Sequence, residues 1–220
     1  MNSHWKLPLA ALAAALLSGS ALAADLSSGG PTGIDIVSPW QVRLRALGVL
    51  TQDSGSVDGV AGSDVSSSNS VIPELDISYY FNDNIAAELI LGTTRSHIRG
   101  EGTLAGVDVG KTWLLPPTLT LQYHFTNFGA FKPYVGAGVN YTMFYSQKAA
   151  GGTVTDLNVK NTFGAALQVG ADYMINDHWG LNVDVKKLYL RPDFELNGGA
   201  LTGKAKLDPW LVGAGLTYRF

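Results

Sequence analysis

The 220-residue chain has no cysteine, which excludes disulfides, thiolate nucleophiles and cysteine-ligated metal sites. It has no basic excess. Lys and Arg number 15 against 18 Asp and Glu, for a net charge of −3, so the electrostatic footprint of a nucleic-acid partner is missing. Histidine is scarce, at four, and none is spaced HxH or HxxxH. Neither a metal nor any other cofactor is expected. Beyond the first 23 residues, no apolar run approaches the roughly 18–20 residues that a spanning helix needs. If the mature chain is integral to a membrane, it must be a closed barrel, because an open sheet would leave backbone groups unpaired in lipid.

Glycine and aromatics are abundant: 26 Gly, 9 Tyr, 8 Phe and 5 Trp. That composition suits β structure rich in turns. Residues 1–23 read as a secretory signal peptide. Lys6 forms the positive start, residues 7–17 the apolar stretch, and Ala21-Leu22-Ala23 the small-residue cleavage site. Cleavage there places the mature start at Ala24, followed by a periplasmic segment, 24–39. Loss of Lys6 takes the net charge to −4. The apolar stretch is too short for a membrane anchor.

The rest alternates with a period of two. Backward from Phe220, the set Phe220, Tyr218, Leu216, Ala214, Val212 and Trp210 is apolar, and Arg219, Thr217, Gly215 and Gly213 between them are polar or small. Such a strand has one face for lipid, with aromatics near both interfaces. Seven earlier segments, 40–50, 74–81, 85–94, 115–125, 133–145, 162–174 and 179–190, repeat the pattern. The expected fold is all-β: an eight-stranded, antiparallel, up-and-down transmembrane barrel over 40–220. Its connections alternate between short (82–84, 126–132, 175–178) and long (51–73, 95–113, 146–161, 191–209), as periplasmic turns and extracellular loops do. A soluble sandwich would need a second layer to cover these apolar faces.

Alternation turns Arg43, Arg45, Glu74, Asp76, Glu88, Asp172, Asp184, Lys186 and Arg219 inward. An eight-stranded barrel is barely wider than its own side chains, and buried charges need partners. These residues are expected to form a salt-bridged plug nearer the periplasmic half, with Glu74, Asp76, Asp172 and Arg219 placed towards the periplasmic ends of their strands. The alternative is a polar selectivity ring. In the loops, Ile98, Leu104, Val107, Trp113, Leu157, Phe194 and Leu201 could line a hydrophobic vestibule or simply pack on one another. Ser96, His97 and Asp108 could form a catalytic group on paper, but Ser- and Asp-rich loops produce such combinations by chance, and no enzyme activity is expected. Gly136-x-Gly138 and Gly213-x-Gly215 sit inside strands, which points to close strand packing rather than phosphate binding.

Three separated elements resemble the OmpW family of outer-membrane proteins: Leu115-Pro116-Pro117-Thr118-Leu119, the run from Lys132-Pro133-Tyr134 to Asn140-Tyr141-Thr142, and Asp208-Pro209-Trp210 with Tyr218-Arg219-Phe220. The resemblance implies a monomeric Gram-negative outer-membrane barrel that passively admits small hydrophobic or amphipathic molecules. Its lumen is closed towards the periplasm, and a sideways exit into the bilayer is implied. It also implies contact with outer-membrane lipid and lipopolysaccharide. Tyr218 and Phe220 resemble the signal read by the barrel-assembly machinery. Two positions depart from the family. Thr94 stands where relatives often carry a proline that interrupts the ladder, so normal pairing is expected there. Lys186-Lys187 replaces a Trp-Tyr pair and puts a cation opposite Ile90, at the constriction. The expected path therefore runs by Ile90, Lys186, Thr94 and the loop residues near Trp113. The rival expectation is a structural or adhesive barrel with a sealed lumen that displays its loops.

Overall fold

The computed structural model describes residues 38–51 and 54–220; the expected signal peptide and nearly all of the segment after it lie outside these. The strands in chain order are β1 (Trp40–Leu50), β2 (Ser54–Val57), β3 (Ser63–Ser67), β4 (Ser70–Tyr80), β5 (Ile85–Gly92), β6 (Thr94–Gly102), β7 (Asp108–Leu115) and β8 (Thr118–His124). They continue as β9 (Phe131–Ala149), β10 (Leu157–Val159), β11 (Thr162–Met174), β12 (Trp179–Tyr189), β13 (Asp193–Leu196), β14 (Leu201–Lys206) and β15 (Trp210–Arg219).

Eight antiparallel ladders close a ring in the order β1, β4, β5, β8, β9, β11, β12, β15 and back to β1. Closure leaves no free edge. The apolar set of each strand points out of the ring: Leu44, Leu121, Val139, Val169, Val183 and Leu216 are all about half exposed, 50–60%. An apolar surface of that extent marks contact with lipid. At the short-turn end, aromatic rings interlock edge to face on this outer surface: Trp40 with Tyr79 at 5.0 Å, Tyr79 with Phe81 at 5.4 Å, and Tyr218 with Trp179 at 4.8 Å and Phe220 at 4.9 Å. At the other end Trp113 stacks on Tyr145 at 6.3 Å, and Tyr141 meets Phe163 at 4.6 Å. These are the two interfacial belts of a membrane barrel.

The segments expected as loops carry sheet. Strands β6, β7 and β9 continue the wall past the barrel, β3 adds to β6, and β10, β13, β14 and β2 form a separate four-stranded sheet. Together they build a vault over the open end, around Val57, Val109, Phe144, Leu157, Val159 and Phe194. Its pairings are long-range, Gly203 with Val57 for instance, and Gly and Ser interrupt the alternation, so no local pattern announced them. The segment expected as one strand, 115–125, is split at Pro116-Pro117 into β7 and β8, where the missing N–H groups interrupt the ladder.

Strands approach closely where glycine permits it. A Cβ on Gly138 would run into the backbone of Leu119 and Thr120, and one on Gly215 into that of Leu44 and Arg45. Gly215→Ala is expected to destabilise the barrel by about 1–3 kcal/mol, as other overpacked sites do, which urea unfolding in detergent would measure.

Candidate functional site

The inward rows change character at one level. On β1, Gln41, Arg43 and Arg45 give way to Leu47 and Val49; on β12, Asn182, Asp184 and Lys186 give way to Leu188. Strand β4 has Ser78, Asp76 and Glu74, then Ile72. Strand register aligns the change, since Arg45 pairs with Glu74 and Leu47 with Ile72. The interior is thus a polar floor beneath an apolar chamber.

The floor is a continuous network of two ion-pair clusters joined by hydrogen bonds. Arg43 holds Asp172 through two nitrogens, at 3.1 and 2.6 Å, and Glu88 at 2.5 Å. Arg45 reaches Glu74 at 2.9 Å, Asp76 at 2.5 Å and Asp184 at 3.5 Å. Lys186 bridges Glu74 at 2.7 Å and Asp184 at 2.9 Å. Neutral groups close the gaps. The Gln168 amide donates to Glu88 at 3.0 Å and Asp184 at 2.9 Å, and the Tyr134 hydroxyl donates to Asp184 at 3.0 Å. Tyr134 is fully buried, and Arg43 lies over its ring at 4.9 Å. Three cations and five carboxylates are tied together with no more than 2% of any of their side chains exposed. In an interior of this width, such a network blocks the axial route.

Below the floor, Gln41, Tyr80, His124 and Arg219 line a separate recess at the short-turn end. Arg219 stacks over Tyr80 at 4.4 Å. Above the floor lies an apolar pocket lined by Leu47, Val49, Ile90, Leu188 and Leu211, with Lys186 and Glu74 at its base. A second, in the vault, is lined by Val57, Ile98, Leu104, Phe144, Leu157 and Phe194. The two share Ser96, Leu114 and Leu207. An apolar solute entering the vault therefore meets apolar side chains down to the floor.

The lower cavity also borders a seam in the barrel wall. The β4–β5 ladder runs from Tyr80–Ala86 to Glu74–Gly92 and stops there. The cause is Pro73. Tyr80 N–H points to β1, donating to Pro39, whereas Phe81 N–H points to β5, donating to Ile85. By alternation, the odd-numbered N–H groups of β4 face β5, and the next would belong to residue 73. Proline has none to give. Beyond that point hydroxyls reach across: Ser70 to Thr94 at 2.9 Å, and Ser67 to Ser96. The His97 N–H also donates to Ser68 Oγ at 3.5 Å. Ser67, Ser68, Ser70, Ile72, Gly92, Thr94 and Ser96 all line the lower cavity.

Several sequence expectations change on this geometry. Thr94 has a ladder partner on β7, Leu114, and none on β4, so it does not restore the ladder; the interrupting proline stands on the facing strand. Trp113 does not line the path. It points outward, in the regular alternation of β7 between Thr112 and Leu114, and stacks on Tyr145. Leu201 is also exposed, whereas Ile98, Leu104, Val107, Leu157 and Phe194 belong to the vault interior. Glu74 and Asp76 sit in mid-barrel, not at the turn end, because β4 begins at Ser70 and turns over only after Tyr80. Arg219 lies in the lower recess, apart from the network. Lys186 is not a free cation opposite Ile90; both line the cavity, but Lys186 is spoken for by two carboxylates. Ser96 and His97 fall on opposite faces of β6 and do not assemble with Asp108. Leu47 and Val49, in phase with Arg45 on β1, and Leu188, in phase with Lys186 on β12, also line the pocket, as does Leu114 of β7. Tyr134, which the sequence offers only as part of the run 132–142, is a hub of the floor.

A model of the OmpW family matches residues 40–220, the whole barrel and vault. The chain belongs to the OmpW family. It is 60% identical over 222 residues to an uncharacterized outer-membrane protein, y4mB, of Sinorhizobium fredii, covering 96% of this chain and 95% of that one. It is 32% identical over 192 residues to the dibenzothiophene metabolism operon protein PahQ of Pseudomonas aeruginosa, covering 83% and 89%. Among solved structures it is similar to the outer membrane protein OprG of P. aeruginosa, with a TM-score of 0.77 and 27% identity over 84% of this chain and 97% of that one. This OmpW-family barrel is thus a Gram-negative outer-membrane protein, with its turns in the periplasm and its vault outside.

Proposed function

We propose that this OmpW-family barrel passes small apolar molecules passively through the lipopolysaccharide leaflet and releases them sideways, at the seam beside Pro73, into the bilayer. The observation that carries this reading is the apolar cavity whose floor is sealed by ion pairs and whose wall has lost its backbone ladder. A solute that reaches Ile90 has no axial way onward; the seam leads to lipid, where an apolar solute is at home. Its concentration gradient and its consumption inside the cell drive the flow. The sealed floor alone would suit a barrel that only displays its loops. The two mainly apolar pockets, adjoining at Leu114 and Leu207, favour transport, because a display scaffold gains nothing from a cavity and loses packing energy to it.

Uptake of a fused-ring aromatic fluorophore by whole cells tests this; the ring class follows the operon named for one relative. Cells carrying the barrel should load several-fold faster than cells lacking it. Leu114→Trp, where the two cavities meet, should slow loading without changing the amount of folded barrel. Equal loading with and without the barrel would sink the transport reading.

A further inference from the structure

The outward face of β6, β7 and β9 carries a row of cations in register. His97 pairs with Lys111, and Lys111 with Lys148. One step towards the membrane, Arg95 pairs with Trp113, and Trp113 with Tyr145. Arg99 lies further out, across from Asp108. Arg95, Arg99 and Lys148 are exposed, and Lys111 and His97 partly so. Like charges opposite one another destabilise a sheet. Among the described residues, the ion pairs within this face's reach do not include Arg95, Arg99, Lys111 or Lys148; the vault's surface pairs fall on Lys160, Arg191, Lys204 and Lys206. Asp108, opposite Arg99, and Glu101, opposite Asp64, are the acids at the outer end of this face; Arg95, Lys111 and Lys148, towards the membrane, have no acid in register. The protein thus builds a repulsive row whose membrane end keeps its positive charge.

The row's height matters. Trp113 and Tyr145 mark the outer aromatic belt, and Lys111 and Lys148 stand just beyond it, about 7 Å along a strand. In the outer leaflet this is where acyl chains end and acidic sugar headgroups begin. We propose that this face seats one lipopolysaccharide molecule, with its phosphate or carboxylate groups on Lys111, Lys148 and Arg95 and its acyl chains against Trp113 and Tyr145. Charge and belt then match one ligand, and the like-charge cost falls when it binds. The proposal rests on the outer-membrane setting and not on transport. The seat adjoins the seam at Thr94–Arg95, so the seated lipid would also border the sideways exit.

His97 is a built-in reporter. Its imidazole is held below its usual value of 6.5 by burial and by Lys111 and Arg95. An anion on Lys111 offsets that repulsion. The full-length barrel in nanodiscs of neutral lipid, with and without bisphosphorylated lipid A, should show the NMR midpoint of His97 rising by about one pH unit when lipid A is present. Mass spectrometry of the detergent-purified barrel should find lipid A retained by the unaltered protein and lost from Lys111→Gln/Lys148→Gln. Lys160→Gln/Lys204→Gln, elsewhere on the vault, should retain it. Heat-modified gel mobility confirms that each variant is folded. An unmoved His97 midpoint overturns the proposal, as does equal retention by Lys111→Gln/Lys148→Gln. So does equal binding of lipid A stripped of its phosphates. A soluble sulfated saccharide that moves His97 as far as lipid A does would reassign the face to a free glycan, and equally overturns it.

Discussion

Arg45→Ala lowers the unfolding free energy of the barrel by about 3–5 kcal/mol, the usual result of removing one partner from a buried charge cluster. The guanidinium touches Glu74, Asp76 and Asp184, and it also donates to Asn182 at 2.9 Å. Its removal leaves five carboxylates facing two cations where no water can screen them. The cost lies in the stranded charges rather than in the lost contacts, so the remedy is to remove charge on both sides. Arg45→Met combined with Glu74→Gln and Asp76→Asn recovers most of the stability, since an apolar or neutral replacement of a whole buried pair is often no worse than the pair itself. Urea titration of refolded barrel, followed by tryptophan fluorescence, measures both variants. An unchanged midpoint for Arg45→Ala would mean that the network is not what holds the strands in place.

The same residues show how far the sequence could be read. Period two made Arg43, Arg45, Asp172, Asp184 and Lys186 face inward, and a narrow ring made them meet, because parity and strand number need no knowledge of distant partners. Height in the barrel was less accessible. Glu74 opens the unbroken part of its alternating run, so it looked like a strand end, although β4 extends back to Ser70 through Pro73. Trp113 was misplaced for a related reason. Its segment read as loop, so no face was assigned to it, although β7 alternates regularly from Lys111 to Leu114. The vault was hidden because β2 finds its partner, β14, across most of the chain, and only long-range closure selects that pairing. Pro73 was in plain view as the end of a loop. Its meaning depends on which neighbour its nitrogen faces, and that follows from the turn at Phe81–Ile85.

Joining the seam covalently gives the other large effect. The side-chain oxygens of Ser70 and Thr94 lie 2.9 Å apart across it. That proximity suits a disulfide, which needs Cβ atoms about 3.5–4.5 Å apart. The chain has no cysteine of its own to compete. In Ser70→Cys/Thr94→Cys the oxidised barrel should lose apolar uptake by about tenfold or more, equivalent to at least about 1.4 kcal/mol added to the barrier, and reduction should restore it. Pro73→Thr tests the same wall without a crosslink. It returns an N–H to the position facing Thr93, lets the β4–β5 ladder continue, and slows uptake in the same direction by a smaller factor. Ser70 and Thr94 also line the cavity, so the reduced form of the double cysteine variant is the control that separates the seam from the cavity; neither variant alters Ile90, Leu47 or Leu114. Oxidised Ser70→Cys/Thr94→Cys that still loads cells at the full rate would rule out the sideways exit, and the ion-pair floor would then have to open for the solute to pass.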